Sequence, residues 1–285
     1  MNIGFIGLGM MGTPMARRFL ESGHRLIISN RTKEKANELV RDGAAWCDTP
    51  AAVSRQSDLV FSMLSTSEVL EETALGQTGI LAGLIPGGVH VDCSTVAPAT
   101  TKKLAEAYAV RGSFFLHAPV LGSIPQATEG TLLLFVGGNE QASQKVEPAL
   151  KILGSKIWRF DRADQASTVK LTGNFFIASM ITMLAQALVF LKQSGIDRKQ
   201  FLEIISHSAL NAPMYQSKGA TMIEGNFAPR FFVEHMLKDI RLVLDSANEV
   251  GVVLPSAEVA DELFKRAVEL NLGKEDYSAV MKVLE

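Results

Sequence analysis

Cysteine is almost missing from this chain: among 285 residues there are only Cys47 and Cys93, far apart in sequence. They form neither a Cys-x-x-Cys pair nor a metal-ligand spacing. That excludes a disulfide framework and a cysteine metal centre, no metal is expected, and a reducing compartment is indicated. An excess of either charge is also lacking. With 28 Lys and Arg against 30 Asp and Glu, the net charge of -2 supplies no basic field for a phosphate backbone, so no nucleic-acid partner is expected. No basic region precedes an apolar run at the start, where a strand begins at once. A targeting peptide is therefore not expected, and the predicted address is cytoplasmic. Internal repeats and low-complexity segments are absent too. The most informative gap is local: from Leu171 to Leu191 there is no charged side chain, no Pro and no turn cluster.

What is present there reads as one long helix within Asp164 to Lys192. A helix apolar nearly all round must be buried, in protein or in lipid. Thr172, Ser179, Thr182 and Gln186 fall on one stripe at helical spacing, and Lys170 and Asn174, at i and i+4, on another. Two polar stripes suit a protein core. With no second hydrophobic span and no basic flanking loop, no membrane crossing is expected. The prediction is a core helix joining two domains, with an ammonium and an amide at its entrance.

At the other end of the chain, the apolar run Asn2 to Ile6 leads directly into Gly7-Leu8-Gly9-Met10-Met11-Gly12. A helix is predicted over Thr13 to Glu21, with Pro14 in its first turn and Gly23 beyond its end. A second strand, Arg25 to Ser29, follows at βαβ distance. A glycine-rich turn alone is weak evidence, but between a strand and a helix it is a dinucleotide fingerprint. The glycines let backbone approach a pyrophosphate, whose charge the helix N-terminus stabilises. The second strand ends in Asn30-Arg31-Thr32, where NAD-binding chains usually carry an acidic side chain. A neutral amide followed by a guanidinium suits a 2′-phosphate, so NADP(H) is the expected cofactor.

Strands are further predicted at Leu59 to Leu64, Val89 to Cys93, Phe114 to Val120, Thr131 to Val136 and Lys156 to Phe160. Thr49-Pro50 caps a short helix between them, and Pro98 leads another. Alternating strands and helices imply an α/β doubly wound sheet. Ligands sit outside the carboxyl ends of such strands, which puts Met63, Leu64, Ser65 and Thr66, together with Ser94 and Thr95, beside the cofactor. Helix capping is an equally good local reading of Ser94 and Thr95. Beyond Lys192 only helices are predicted: one capped by Asp197, then Pro213 to Ile223, Phe232 to Val250 and Pro255 to Asn271. The expected domains are 1–163, a Rossmann-type nucleotide-binding domain, and 164–285, an all-helical domain. The long apolar helix and the helical domain offer more hydrophobic surface than one small domain hides, so a homodimer or homotetramer is expected.

Several separated stretches resemble the β-hydroxyacid dehydrogenase family over essentially the whole chain. They are Gly4 to Gly12, Asp92-Cys93-Ser94-Thr95, Ala118-Pro119-Val120, Gly130-Thr131-Leu132, Lys170 with Asn174, and Lys238-Asp239. Phe231 to Leu242 and the Asn-Arg-Thr trio resemble most the glyoxylate/succinic semialdehyde reductase branch. The resemblance implies NADPH-dependent reduction of a small carboxylate-bearing aldehyde or ketone, with Lys170 as the proton donor. It implies a cofactor held by Gly7, Leu8, Gly9, Met10, Met11, Gly12, Asn30, Arg31, Thr32, Met63, Leu64, Ser65, Thr95 and Lys238. Substrate contacts would come from Ser94, Thr95, Leu121, Gly122, Ser123, Asn174, Phe231 and Asp239. A lysine in this role works best when burial lowers its pKa, which the uncharged helix beside it would favour.

The chain departs from the family pattern at three places. His117 stands where an acidic residue is usual, Leu121 where a serine is usual, and Asp164-Gln165-Ala166 where the family has Gly-x-Gly. Leu121 removes a hydroxyl from the substrate loop and suits a bulkier or less acidic carbonyl compound. Two other readings stay open: a cofactor-binding scaffold or sensor without turnover, and an imine reductase.

Overall fold

The computed structural model describes residues 1–285. Nine strands form one sheet: β1 (Asn2–Ile6), β2 (Arg25–Ser29), β3 (Ala45–Trp46), β4 (Leu59–Ser62), β5 (Val89–Asp92), β6 (Phe114–His117), β7 (Val120–Leu121), β8 (Leu132–Gly137) and β9 (Gly154–Phe160). Their order is β3-β2-β1-β4-β5-β6-β8-β7, with β9 on the other side of β8. From β3 to β6 every pairing is parallel, whereas β8 runs antiparallel to β6 and β7. The chain leaves β1 for β2 on one side and returns to β4 on the other, so the crevice between β1 and β4 is the topological switch point where α/β sheets bind ligands.

Strands buried on both faces must be apolar along their length. In β4 and β5 every residue is buried, including Ser62, His90 and Asp92. Against this sheet, α1 (Gly12–Glu21) packs Met15, Ala16 and Phe19. The Phe19 ring lies 4.8 Å from that of Phe61, and its full burial contributes about 2–3 kcal/mol. The other helices of this half are α2 (Asn37–Arg41), α3 (Pro50–Arg55), α4 (Ser67–Leu75), α5 (Ile80–Gly83), α6 (Pro98–Val110), α7 (Ile124–Glu129) and α8 (Glu140–Leu153).

The predicted strand Phe114 to Val120 is broken after His117. Pro119 has no N–H for the ladder, and Ala118-Pro119 forms a step between β6 and β7. Helix α8 carries Pro148 inside it. Pro148 is exposed, so the carbonyl it leaves unpaired can be hydrated and the helix persists.

The long helix α9 runs from Ala163 to Gln193 without interruption. The chain divides into two compact units, Met1–Lys170 and Leu171–Glu285, so the division falls within α9. In the second unit α9 buries Leu171, Ala178, Ile181, Leu184, Ala185 and Leu188, at the three- and four-residue steps of one helical face. Helices α10 (Arg198–Ser206), α11 (Pro213–Glu224), α12 (Val233–Glu249) and α13 (Pro255–Glu269) complete this core. Asp197 caps α10 by accepting from the Lys199 amide, as expected. Near the C-terminus, buried Asp276 accepts from Lys218 Nζ at 2.6 Å and from the Ser278 hydroxyl, fastening the final turn to α11.

Candidate functional site

The glycine turn follows β1 at the switch point, and its three glycines differ in what they do. Gly7 has φ +97°, and a Cβ there would lie 2.2 Å from the Met63 carbonyl oxygen. At Gly12 a Cβ would lie 1.9 Å from the Gly7 oxygen, so the helix could not pack so close to the strand. A Cβ on Gly9 would meet nothing within 4 Å. Gly7 and Gly12 are therefore demanded by the fold itself. Gly9 leaves open the space through which a pyrophosphate can approach the backbone, and no side chain caps α1 below it. The turn fits a dinucleotide.

Around the turn the structure brings together the residues expected after β2 and β4. Asn30 Oδ1 accepts from the Leu8 amide at 2.9 Å while its Nδ2 donates to the Thr32 carbonyl at 2.8 Å. Asn30 thus spends its amide on holding the turn to the β2 end, and Arg31 and Thr32 stand exposed just beyond it. Met63 donates its amide to the Ile6 carbonyl, and the Leu64 side chain packs close to Gly7. Ser65 is exposed on the same loop, and Met10 and Met11 of the glycine turn are half-buried.

Beside this loop lies a group of fully buried polar side chains. Asp92 Oδ1 accepts from the hydroxyls of Ser62, at 2.6 Å, and Ser94, at 2.7 Å. Its Oδ2 accepts from the Ser94 amide at 3.2 Å and lies 3.2 Å from His117 Nδ1, whose alignment makes this an electrostatic contact more than a hydrogen bond. Burial pushes the Asp92 carboxyl up, but His117, His90 and Ser62 together more than reverse that, and it ends below its ordinary value. His90 bridges Ser62 Oγ and the Tyr108 hydroxyl, each at 2.8 Å. Burial lowers the His90 pKa to about 4, so the ring is neutral at pH 7. The Ser62 proton goes to Asp92, so Ser62 must accept from His90 Nε2–H, and Tyr108 must donate to Nδ1. Every donor in the chain therefore points toward Asp92.

Ser94 is neither a helix cap nor an open hydroxyl. It donates to Asp92 and accepts from the Leu64 amide at 2.8 Å, while Ala97 caps α6. Thr95 is half-buried on the same loop. One residue on, the Val96 carbonyl accepts from Ser167 Oγ at 2.5 Å, which ties the first turns of α9 to the loop after β5. Lys170 follows Ser167 by three residues on that helix and is 8% exposed. Leu121 pairs with Leu133 in the ladder. At Gly122, φ is +144° and a Cβ would meet Leu132 at 2.8 Å. The Ser123 amide and hydroxyl both reach Gln126 Oε1 at 2.9 Å, forming the start of α7.

In the second unit, Asn174 Nδ2 donates to Asp239 Oδ2 at 2.5 Å, and Lys238 Nζ lies 2.8 Å from Asp239 Oδ1. Asp239 is buried, so it orients the Asn174 amide one helical turn after Lys170. Phe231 meets Tyr277 edge to face at 6.0 Å. Sequence reasoning assigned no role to Ser62, His90, Asp92 or Tyr108. The available signal was His90 and Asp92, two polar residues at i and i+2 in a strand otherwise apolar, with Ser62 in register beside Asp92.

Residues 2–161 match the family model for the NAD binding domain of 6-phosphogluconate dehydrogenase. Residues 165–284 match the one described as NAD-binding of NADP-dependent 3-hydroxyisobutyrate dehydrogenase. Glyoxylate/succinic semialdehyde reductase 2, chloroplastic, of Arabidopsis thaliana is 35% identical over 100% of this chain and 79% of its own length. Among solved structures, a 3-hydroxyisobutyrate dehydrogenase from Salmonella typhimurium superposes with a TM-score of 0.89 at 26% identity, covering 99% of each chain. Psf3, solved in complex with NADP+ and 2-OPP, gives 0.90 at 25% identity, covering 99% of this chain and 100% of its own.

Proposed function

The chain belongs to the 3-hydroxyisobutyrate dehydrogenase-like family of oxidoreductases, which act on CH–OH groups with NADP(H), and from that premise we propose that it uses NADPH to reduce small carboxylate-bearing aldehydes or ketones, of the glyoxylate and succinic semialdehyde kind, to hydroxyacids. The observation that carries this reading is buried Lys170, one turn past a serine tied to the loop after β5. When bound, the cofactor supplies a hydride to the carbonyl carbon. The Lys170 ammonium gives its proton to the carbonyl oxygen, and in the reverse direction neutral Lys170 takes the hydroxyl proton. Thr95 and the backbone at Gly122 hold the substrate carboxylate, and Asn174, oriented by Asp239, aligns the substrate or the lysine. Phe231, Asp239 and Lys238 of the second unit are the residues that the family resemblance assigns to substrate and cofactor.

Exposed Arg31, with no acidic residue beside it at the end of β2, supports a preference for NADPH over NADH. Leu121 supports a second reading within the same chemistry, in which the carbonyl substrate is bulkier or less acidic than glyoxylate. The exposed apolar residues of α9 support assembly as a homodimer or homotetramer.

The test is consumption of NADPH, then of NADH, with glyoxylate, succinic semialdehyde and a graded set of larger oxo-acids. Turnover with NADPH on at least one oxo-acid, and much slower turnover with NADH, is expected. No turnover with any of them would favour a non-catalytic cofactor-binding protein, and equal use of both nucleotides would remove Arg31 from its role.

A further inference from the structure

Ser94 is completely buried, and its hydrogen-bonding groups are engaged by the protein. Its hydroxyl donates to Asp92, its oxygen accepts from the Leu64 amide, and its own amide points to Asp92. A substrate carboxylate needs donors, and Ser94 has none to offer unless Asp92 is abandoned. Giving up a hydrogen bond to a buried carboxylate is costly, because that carboxylate is left undersatisfied away from water. The Leu64 amide leads in the other direction. It belongs to the loop whose Met63 carbonyl would lie 2.2 Å from a Cβ on Gly7 and whose Leu64 side chain would lie 2.9 Å from it. Asn30 grips the neighbouring residue, Leu8, from the opposite side. The glycine turn is therefore held between two braces, one from the end of β2 and one from the end of β5.

We propose that Ser94, oriented by Asp92, is a positioning residue for the cofactor turn and not a substrate ligand. Its hydroxyl fixes the Leu64 amide, and Leu64 with Met63 fixes Gly7. Ser94 thereby sets cofactor affinity from the loop after β5. The proposal rests on the cofactor reading above, and its test requires no turnover.

The dissociation constant for NADPH is measured by nucleotide fluorescence with no carbonyl compound present. Ser94→Ala is expected to raise it about fivefold, the effect of one net hydrogen bond. Asp92→Asn, which cannot accept both Ser94 contacts in the same way, is expected to raise it in the same sense. Combining the two should add little, since both act through one bond. Ser62→Ala is the control: it removes an equally buried bond to Asp92 but leaves Ser94 and Leu64 joined. It should shift the constant less than about twofold. Unchanged NADPH affinity in Ser94→Ala overturns the proposal, and so does an equal loss in Ser62→Ala, which would mean general loosening. If Ser94→Ala does not fold, Asp92→Asn decides by the same comparison. Absence of turnover with every carbonyl compound would sink the reductase reading and leave this measurement intact.

Discussion

A neutral histidine at the centre of a parallel sheet has a consequence at low pH. His90 is buried against Ser62, Tyr108 and Phe115, with Asp92 and His117 the ionisable groups nearest to it. Its pKa of about 4 when folded lies below the ordinary 6.5, so between those values the unfolded chain takes up a proton that the native state refuses. The stability is complete above pH 6.5 and declines as the pH falls toward 4. The slope approaches ~1.4 kcal/mol per pH unit, and the total loss is about 3 kcal/mol. His24 and His235, whose pKa values burial also lowers, act in the same sense, whereas the depressed carboxyls of Asp92 and Asp276 matter only below this window. Urea denaturation at pH 7 and pH 5 should give a clearly lower midpoint at pH 5, and His90→Gln should flatten that difference. The same difference in the variant would remove His90 as its source. At this scale the sequence is legible where chemistry is local. Gly9 announces itself by the strand that precedes it, whereas the Leu64 amide bound by Ser94 lies 30 residues away on the loop after β4, and no local pattern reports that register.

Helix α9 exposes Phe176, Met183 and Phe190, at 60%, 56% and 72%. They stand seven residues apart, the spacing that keeps one apolar seam facing a neighbouring helix. Phe175, Ser179, Met180 and Gln186 line a groove with Pro255 and Val259 of α13 alongside that seam. An uncharged stripe of this length is the surface that a second copy of the chain would cover. Sedimentation velocity is expected to give a dimer or tetramer, and Phe176→Glu with Met183→Glu is expected to shift it to monomer. A monomeric mass for the unchanged protein contradicts this. The same helix illustrates what composition can convey: its length follows from the missing charges, but the expected all-round burial does not hold, since one face is buried and another is exposed. By length and hydropathy alone it could also cross a membrane. Short elements were harder to read. Strand β3 has two residues, and α7 has a single turn and a half, too little for a period to emerge.

At the scale of the whole molecule, alternation of strands and helices foretold a doubly wound sheet, but not its order. Strand order depends on which crossover passes over which face, a property of the packed chain. The observed order puts β4 beside β1, and only then do Met63 and Leu64 come against Gly7. The antiparallel direction of β8 between β6 and β9 was likewise hidden, since a strand's own residues do not report which way its neighbours run.

The central claim is that Lys170 delivers the proton. The most direct measurement compares Lys170→Ala with the unchanged protein on its best oxo-acid, with NADPH binding followed separately. The account predicts a fall in kcat/KM of at least about a hundredfold, the usual worth of a general acid, while the NADPH dissociation constant moves less than about twofold. Turnover undiminished by the substitution would contradict it.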